Sequence, residues 1–192
     1  MKIDFTKKEN IPNLLTLGRI VMIPLFILIL CFWKSSTGHV VAAIVFALAS
    51  ITDYLDGYLA RKWKVVTNFG KFADPLADKM LVMTAFIMLV ELKMVPAWIA
   101  AIIICRELAV TGLRLLLVEN GGTVLAAAMP GKIKTFTQMF SILFLFLNDV
   151  FFAAVSIPIG EILLYICLFF TVYSGIDYFW NSRAVFEDSF SK

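Results

Sequence analysis

Asp53, Asp56, Asp74 and Asp78 lie in a chain that is otherwise apolar enough to cross a bilayer, and their spacing is regular. The array reads Asp53-x-x-Asp56-Gly57-x-x-Ala60-Arg61, then eight residues, then Gly70-x-x-x-Asp74-x-x-x-Asp78. An uncompensated aspartate near the centre of a membrane helix costs about 2.5–3.5 kcal/mol, so four cost about 10 kcal/mol. That cost is tolerated where the carboxylates face water and bind a cation. Asp53 and Asp56 are i, i+3, and Asp74 and Asp78 are i, i+4. Each pair therefore shares a helix face. An antiparallel helix pair can pool both faces into one divalent-metal site. Oxygen donors with no His or Cys nearby favour Mg²⁺, Mn²⁺ or Ca²⁺ over zinc. Four carboxylates can hold two metals if at least one bridges, and such a pair clamps an in-line phosphoryl displacement. Gly57, Ala60 and Gly70 leave space beside the acids, and Arg61 can pair with phosphate. The alternative is a small-residue helix contact with the acids paired to Lys79 and Arg61, which does not account for the full spacing.

The elements that must carry this array are membrane helices. The chain has 192 residues, is 61% hydrophobic and only 16% charged, and has a mean hydropathy of +0.90. A soluble domain of this length would expose too much apolar surface. The expected fold is all-α: a polytopic membrane protein, one domain over residues 1–192, with six transmembrane helices. The apolar segments run roughly over 14–33, 39–60, 72–91, 95–118, 132–149 and 158–181. Each approaches the ~20 residues that span the hydrocarbon core. Breaks are expected at Ser35–Gly38, Asn68–Gly70, Pro96, Asn120–Gly122, Pro130–Gly131 and Pro158. Ile3, Phe5, Ile11 and Leu14 suggest a short interfacial segment before the first span. The first apolar run ends in Cys31-Phe32-Trp33-Lys34, a poor cleavage site, so it reads as a retained helix. Cys31, Cys105 and Cys167 all fall in apolar runs and read as buried, inert thiols.

Charge placement gives an orientation. Lys2, Lys7 and Lys8, the group Arg61, Lys62, Lys64 and Lys71, then Lys132 and Lys134, and finally Arg183 and Lys192 fall on one side; Lys34 and Lys93 fall on the other. Basic residues concentrate on the cytoplasmic side. Both termini and the aspartate-bearing loop are therefore expected to be cytoplasmic. The net charge of +3 is topological on this reading, and no nucleic-acid partner is expected.

The aspartate array resembles the signature of the CDP-alcohol phosphotransferase family, D-x2-D-G-x2-A-R-x8-G-x3-D-x3-D, at every defined position. Asn10–Arg19, Asp74–Lys79, Cys105–Glu107 with Arg114, and Gly131–Thr135 are similar to the bacterial branch that uses glycerol 3-phosphate, so the resemblance covers nearly the whole chain. It implies six transmembrane helices, a homodimer, and a cytoplasmic-facing site that cleaves CDP-diacylglycerol to give a phosphodiester and CMP. It implies Mg²⁺ or Mn²⁺ as cofactor, two per site, with Asp53, Asp56, Asp74 and Asp78 as ligands and Asp78 also as general base. It further implies that Gly57, Ala60, Arg61, Asn13 and Thr16 face CDP.

The acceptor can be argued separately. Arg106 interrupts an apolar run, Arg114 is eight residues later on the same side, and Lys132 and Lys134 open the fifth span. Four cations in a chain with one acidic metal site suggest an anionic acceptor, and glycerol 3-phosphate fits better than a neutral alcohol. The alternatives are an intramembrane ion pair of Arg106 with Glu107 or an aspartate, and ordinary interfacial anchoring by Lys132 and Lys134. Within the family the rivals are a cardiolipin synthase and a synthase using inositol phosphate. A divalent-cation transporter is a rival of another class, but its acids should recur through the bilayer, whereas these cluster at one end.

Overall fold

The computed structural model describes residues 11–63, 68–119, 129–147 and 158–183; the side chains of 11–13, 53–61, 63, 68–72, 74, 75, 118 and 119 lie outside that description. Six helices form, with no strand among the described residues. They are α1 (Ile11–Phe32), α2 (Ser36–Trp63), α3 (Asn68–Glu91), α4 (Ala97–Glu119), α5 (Met129–Leu147) and α6 (Ile159–Asn181). Each coincides with one apolar segment of the sequence. Three expected breaks fall inside helices instead, in whole or in part. Ser36–Gly38 opens α2. Asn68–Gly70 forms the first turn of α3, and Pro130–Gly131 the first turn of α5. Proline is tolerated there because the first N–H groups of a helix have no internal partner.

Among the described residues, two helices are long and apolar enough to cross a membrane, through Leu14–Phe32 of α1 and Ile159–Asn181 of α6. The apolar stretch of α2, Ser36–Thr52, is shorter. Arg106, Glu107 and Arg114 interrupt α4, and Lys132 and Lys134 sit near the start of α5.

The chain divides into two compact units. The first comprises residues 1–88 and 146–156. In it α1 and α2 pack as a hairpin. Ser35 caps α2, its Oγ accepting the Gly38 N–H at 3.3 Å. Gly38 cannot carry a side chain, because a Cβ there would lie 1.9 Å from the Trp33 carbonyl oxygen. Ala42, Ala43 and Ala49 are buried on α2, as is Phe26 on α1. The Phe26 ring lies 6.3 Å from that of Phe46 and meets Phe146 edge-on at 5.7 Å.

The second unit comprises residues 89–145 and 157–192. Lys93, with φ 59°, turns the chain after α3 in the left-handed conformation that often ends helices. α4 and α6 pack through Val110, Leu113, Leu117 and Tyr178. α5 meets α6 where Ser141 Oγ donates to the Gly160 carbonyl at 3.0 Å. A Cβ on Gly160 would come within 3.0 Å of Leu145, so this approach needs glycine. All three cysteines are free; Cys167 is buried as expected, but Cys31 and Cys105 are exposed on the protein surface.

Candidate active site

The first unit carries the acidic array. Asp53, Asp56, Gly57, Ala60 and Arg61 occupy the last three turns of α2, and Asp74 and Asp78 the first three of α3. Both acid pairs therefore lie on helix, at the expected i, i+3 and i, i+4 registers. Just before Asp53, two α2 hydroxyls bond back to the helix: Ser50 Oγ to the Phe46 carbonyl at 2.8 Å and Thr52 Oγ1 to that of Ala49 at 2.7 Å. On α3, Ala73, Ala77 and Leu81 are buried at i, i+4 and i+8. Positions 74 and 78 fall one residue beyond that stripe, and the Asp78 side chain is half-buried.

The side chains of Asp53, Asp56, Asp74, Gly57, Ala60, Arg61 and Asn13 lie outside the described residues. Among the described residues no group of three or more His, Cys, Asp or Glu could hold a metal. The donor set carried by α2 and α3 is nevertheless oxygen only, which suits a hard divalent cation. On α1, Thr16 is completely buried, as is Arg19 one turn later. Arg19 is not among the candidate site residues read from the sequence, and it is fully buried on an otherwise apolar helix.

The second unit gathers two of the four acceptor cations. Arg106 Nη1 donates to Glu107 Oε1 at 3.2 Å, and Lys134 Nζ donates to the same oxygen. Arg106 Nη2 donates to Ser174 Oγ at 2.9 Å. The Ser174 hydroxyl in turn donates to the Phe170 carbonyl. The Glu107 and Lys134 side chains are 3% and 4% exposed and Arg106 is 16%, so one buried carboxylate faces two largely buried cations. Arg114 and Lys132 are exposed and stand outside this hydrogen-bonded network. Three helices thus build the cluster: α4 supplies Arg106 and Glu107, α5 Lys134, and α6 Ser174. The sequence offers Glu107 only as a possible partner of Arg106. Its bond to Lys134, 27 residues away, and the Ser174 contact need the fold.

An all-helical chain with this acidic array and a buried cationic cluster defines the class, and residues 9–173 match the family described as CDP-alcohol phosphatidyltransferase. The chain belongs to that family. Among its relatives is a Bacillus subtilis (strain 168) protein named CDP-diacylglycerol–glycerol-3-phosphate 3-phosphatidyltransferase, 48% identical over 181 residues, covering 88% of this chain and 93% of the relative. A Rickettsia prowazekii (strain Madrid E) protein of the same name is 41% identical over 187 residues, covering 97% of this chain and all of the relative. A Mycobacterium tuberculosis (strain H37Rv) protein named probable phosphatidylglycerophosphate synthase is 42% identical over 174 residues, covering 88% of this chain and 79% of the relative.

Proposed function

We infer that this protein transfers the phosphatidyl group of CDP-diacylglycerol to sn-glycerol 3-phosphate, releasing CMP and forming phosphatidylglycerol phosphate. The observation that carries this reading is the complete eight-position array on α2 and α3, in a chain that matches relatives of that activity almost end to end. The family acts with divalent cations. Asp53, Asp56, Asp74 and Asp78 would hold Mg²⁺ or Mn²⁺, two ions in our reading, which supply positive charge to the pyrophosphate of the donor lipid. Gly57 and Ala60 leave room for CDP, Arg61 pairs with its phosphates, and Asn13 and Thr16 complete that face.

Asp78 takes the proton from the acceptor hydroxyl. The acceptor oxygen bonds to the phosphorus that bears diacylglycerol, and the bond from that phosphorus to CMP breaks. A base must lie within hydrogen-bond reach of the proton it removes. The Asp78 side chain is half-buried, not sealed in the core. Arg106, Arg114, Lys132 and Lys134 receive the acceptor's phosphate. Arg106, Lys134 and Glu107 together carry a net +1, so a phosphate brought to them meets a cationic cluster. That favours an anionic acceptor over a neutral one.

The protein is membrane-associated. We read all six helices as spans of one domain, with both termini and the aspartates cytoplasmic. Supporting this, Lys34 and Lys93 occupy the α1–α2 and α3–α4 turns, and Trp33, Trp98 and Trp180 are exposed near helix ends. A homodimer in the cell membrane, in contact with its lipids, completes the reading. It is tested by CMP release from CDP-diacylglycerol with glycerol 3-phosphate, inositol phosphate and phosphatidylglycerol as competing acceptors. Preference for either of the latter would displace glycerol 3-phosphate as acceptor.

A further inference from the structure

Two observations in the second unit go beyond charge counting. First, Arg106 and Lys134 sit on different helices, yet both donate to one oxygen of one carboxylate, Glu107 Oε1. Second, Arg106 is held on its other side by α6. Its Nη2 donates to Ser174, and its stem lies against Gly175, where a Cβ would come 3.2 Å from Arg106 Cγ and 3.7 Å from Nε. Arg106 Nε, buried, has no hydrogen-bond partner among the described residues.

We propose that Glu107, together with the Ser174–Gly175 step of α6, is the positioning device of the acceptor site, fixing Arg106 and Lys134 so that both cations present to one phosphate. The inference rests on the assignment of Arg106 and Lys134 to the acceptor's phosphate. Two cations brought together in a buried setting repel and would turn apart without a shared counter-ion. Glu107 removes that repulsion and fixes the separation. Ser174 fixes the plane of the guanidinium, which matters because its donors form a rigid fork that must match the phosphate oxygens. Gly175 lets the stem of Arg106 lie close against α6. A carboxylate that neutralised both cations would repel phosphate, but one carboxylate against two cations leaves a net positive charge. Glu107 does not touch the reacting atoms; it acts through Arg106 and Lys134.

The test uses the full-length protein in nanodiscs, with KM measured separately for glycerol 3-phosphate and CDP-diacylglycerol. Glu107→Gln keeps the size and one acceptor oxygen but removes the charge. We expect it to raise the KM for glycerol 3-phosphate about tenfold or more, the loss of one charge-assisted hydrogen bond, and to leave the KM for CDP-diacylglycerol unchanged. Ser174→Ala and Gly175→Ala carry no change of charge and guard against a folding defect in Glu107→Gln. Each should raise the same KM several-fold and no other constant. In a double-mutant cycle, Glu107→Gln should cost less in a Lys134→Met background than on its own, because part of its action passes through that lysine and the rest through Arg106. Glu107→Asp, with its shorter reach, should restore part of the affinity.

Equal loss in both KM values, multiplicative effects in the cycle, or Ser174→Ala and Gly175→Ala without effect on glycerol 3-phosphate would each overturn the positioning role. If Arg106→Ala and Lys134→Met themselves leave that KM unchanged, the acceptor assignment fails first and the inference falls with it. If those two raise it and Glu107→Gln does not, the inference alone fails.

Discussion

Lys134→Met separates the role of this lysine in binding from its role in holding the fold. Methionine keeps the length and apolar stem and removes the charge. Lys134 is almost completely buried, and its ionic partner Glu107 is buried too. Breaking a buried ion pair by removing one partner usually costs about 3–5 kcal/mol, because the other charge is left uncompensated. Here Glu107 keeps Arg106 at 3.2 Å, so its charge remains paired. The stability loss should therefore be nearer that of one hydrogen bond to a charged group, about 1.5–3 kcal/mol. The same range applies to the bond Lys134 donates to the acceptor's phosphate, which corresponds to a rise of about 10- to 100-fold in KM for glycerol 3-phosphate. The assay is initial-rate kinetics in nanodiscs, varying each substrate against saturating levels of the other, with thermal unfolding followed on the same preparation. A folded variant whose KM for glycerol 3-phosphate matches the parent's would refute the reasoning. A rise confined to the KM for CDP-diacylglycerol would show that the lysine serves the donor lipid instead.

Three further outcomes follow from the other elements. EDTA should abolish turnover and Mg²⁺ or Mn²⁺ restore it, and Asp53→Asn, Asp56→Asn or Asp74→Asn should each lose metal-supported turnover while still inserting in membranes; full activity without metal would count against the carboxylate site. Asp78→Asn should lower turnover by ~10²-fold or more, the usual range for losing a general base, with CDP-diacylglycerol binding by calorimetry preserved; joint loss of metal and lipid binding would make Asp78 chiefly a ligand. Gly38→Ala should destabilise the α1–α2 hairpin by about 1–3 kcal/mol, the usual cost of overpacking, because its Cβ meets the Trp33 carbonyl; an unchanged melting temperature would show that the turn relaxes freely.

The helices were legible because each is an apolar run of about the right length, and that signal does not depend on the partner a helix finds. Their ends were less so. Asn68–Gly70 reads as a break from residue type, yet position in the first helical turn, where backbone N–H groups need no internal partner, lets these residues begin α3. α2 likewise continues to Trp63 through Arg61 and Lys62, since a helix need not stop where its apolarity does. The acidic array was fully legible as spacing along two helices. The cationic cluster was legible only in part. Arg106 and Lys134 stand out as charges in or beside apolar runs, but their union through Glu107 depends on helix packing that no local pattern encodes. Ser174 and Gly175 look like ordinary small residues of an apolar helix until Arg106 is seen lying against them.

The most direct test of the central claim is CMP release by the purified protein, supplied with CDP-diacylglycerol and Mg²⁺, with and without glycerol 3-phosphate. The account predicts CMP formed in step with phosphatidylglycerol phosphate, and only when glycerol 3-phosphate is present. No CMP from a folded, metal-loaded preparation, or CMP release indifferent to glycerol 3-phosphate, would contradict it.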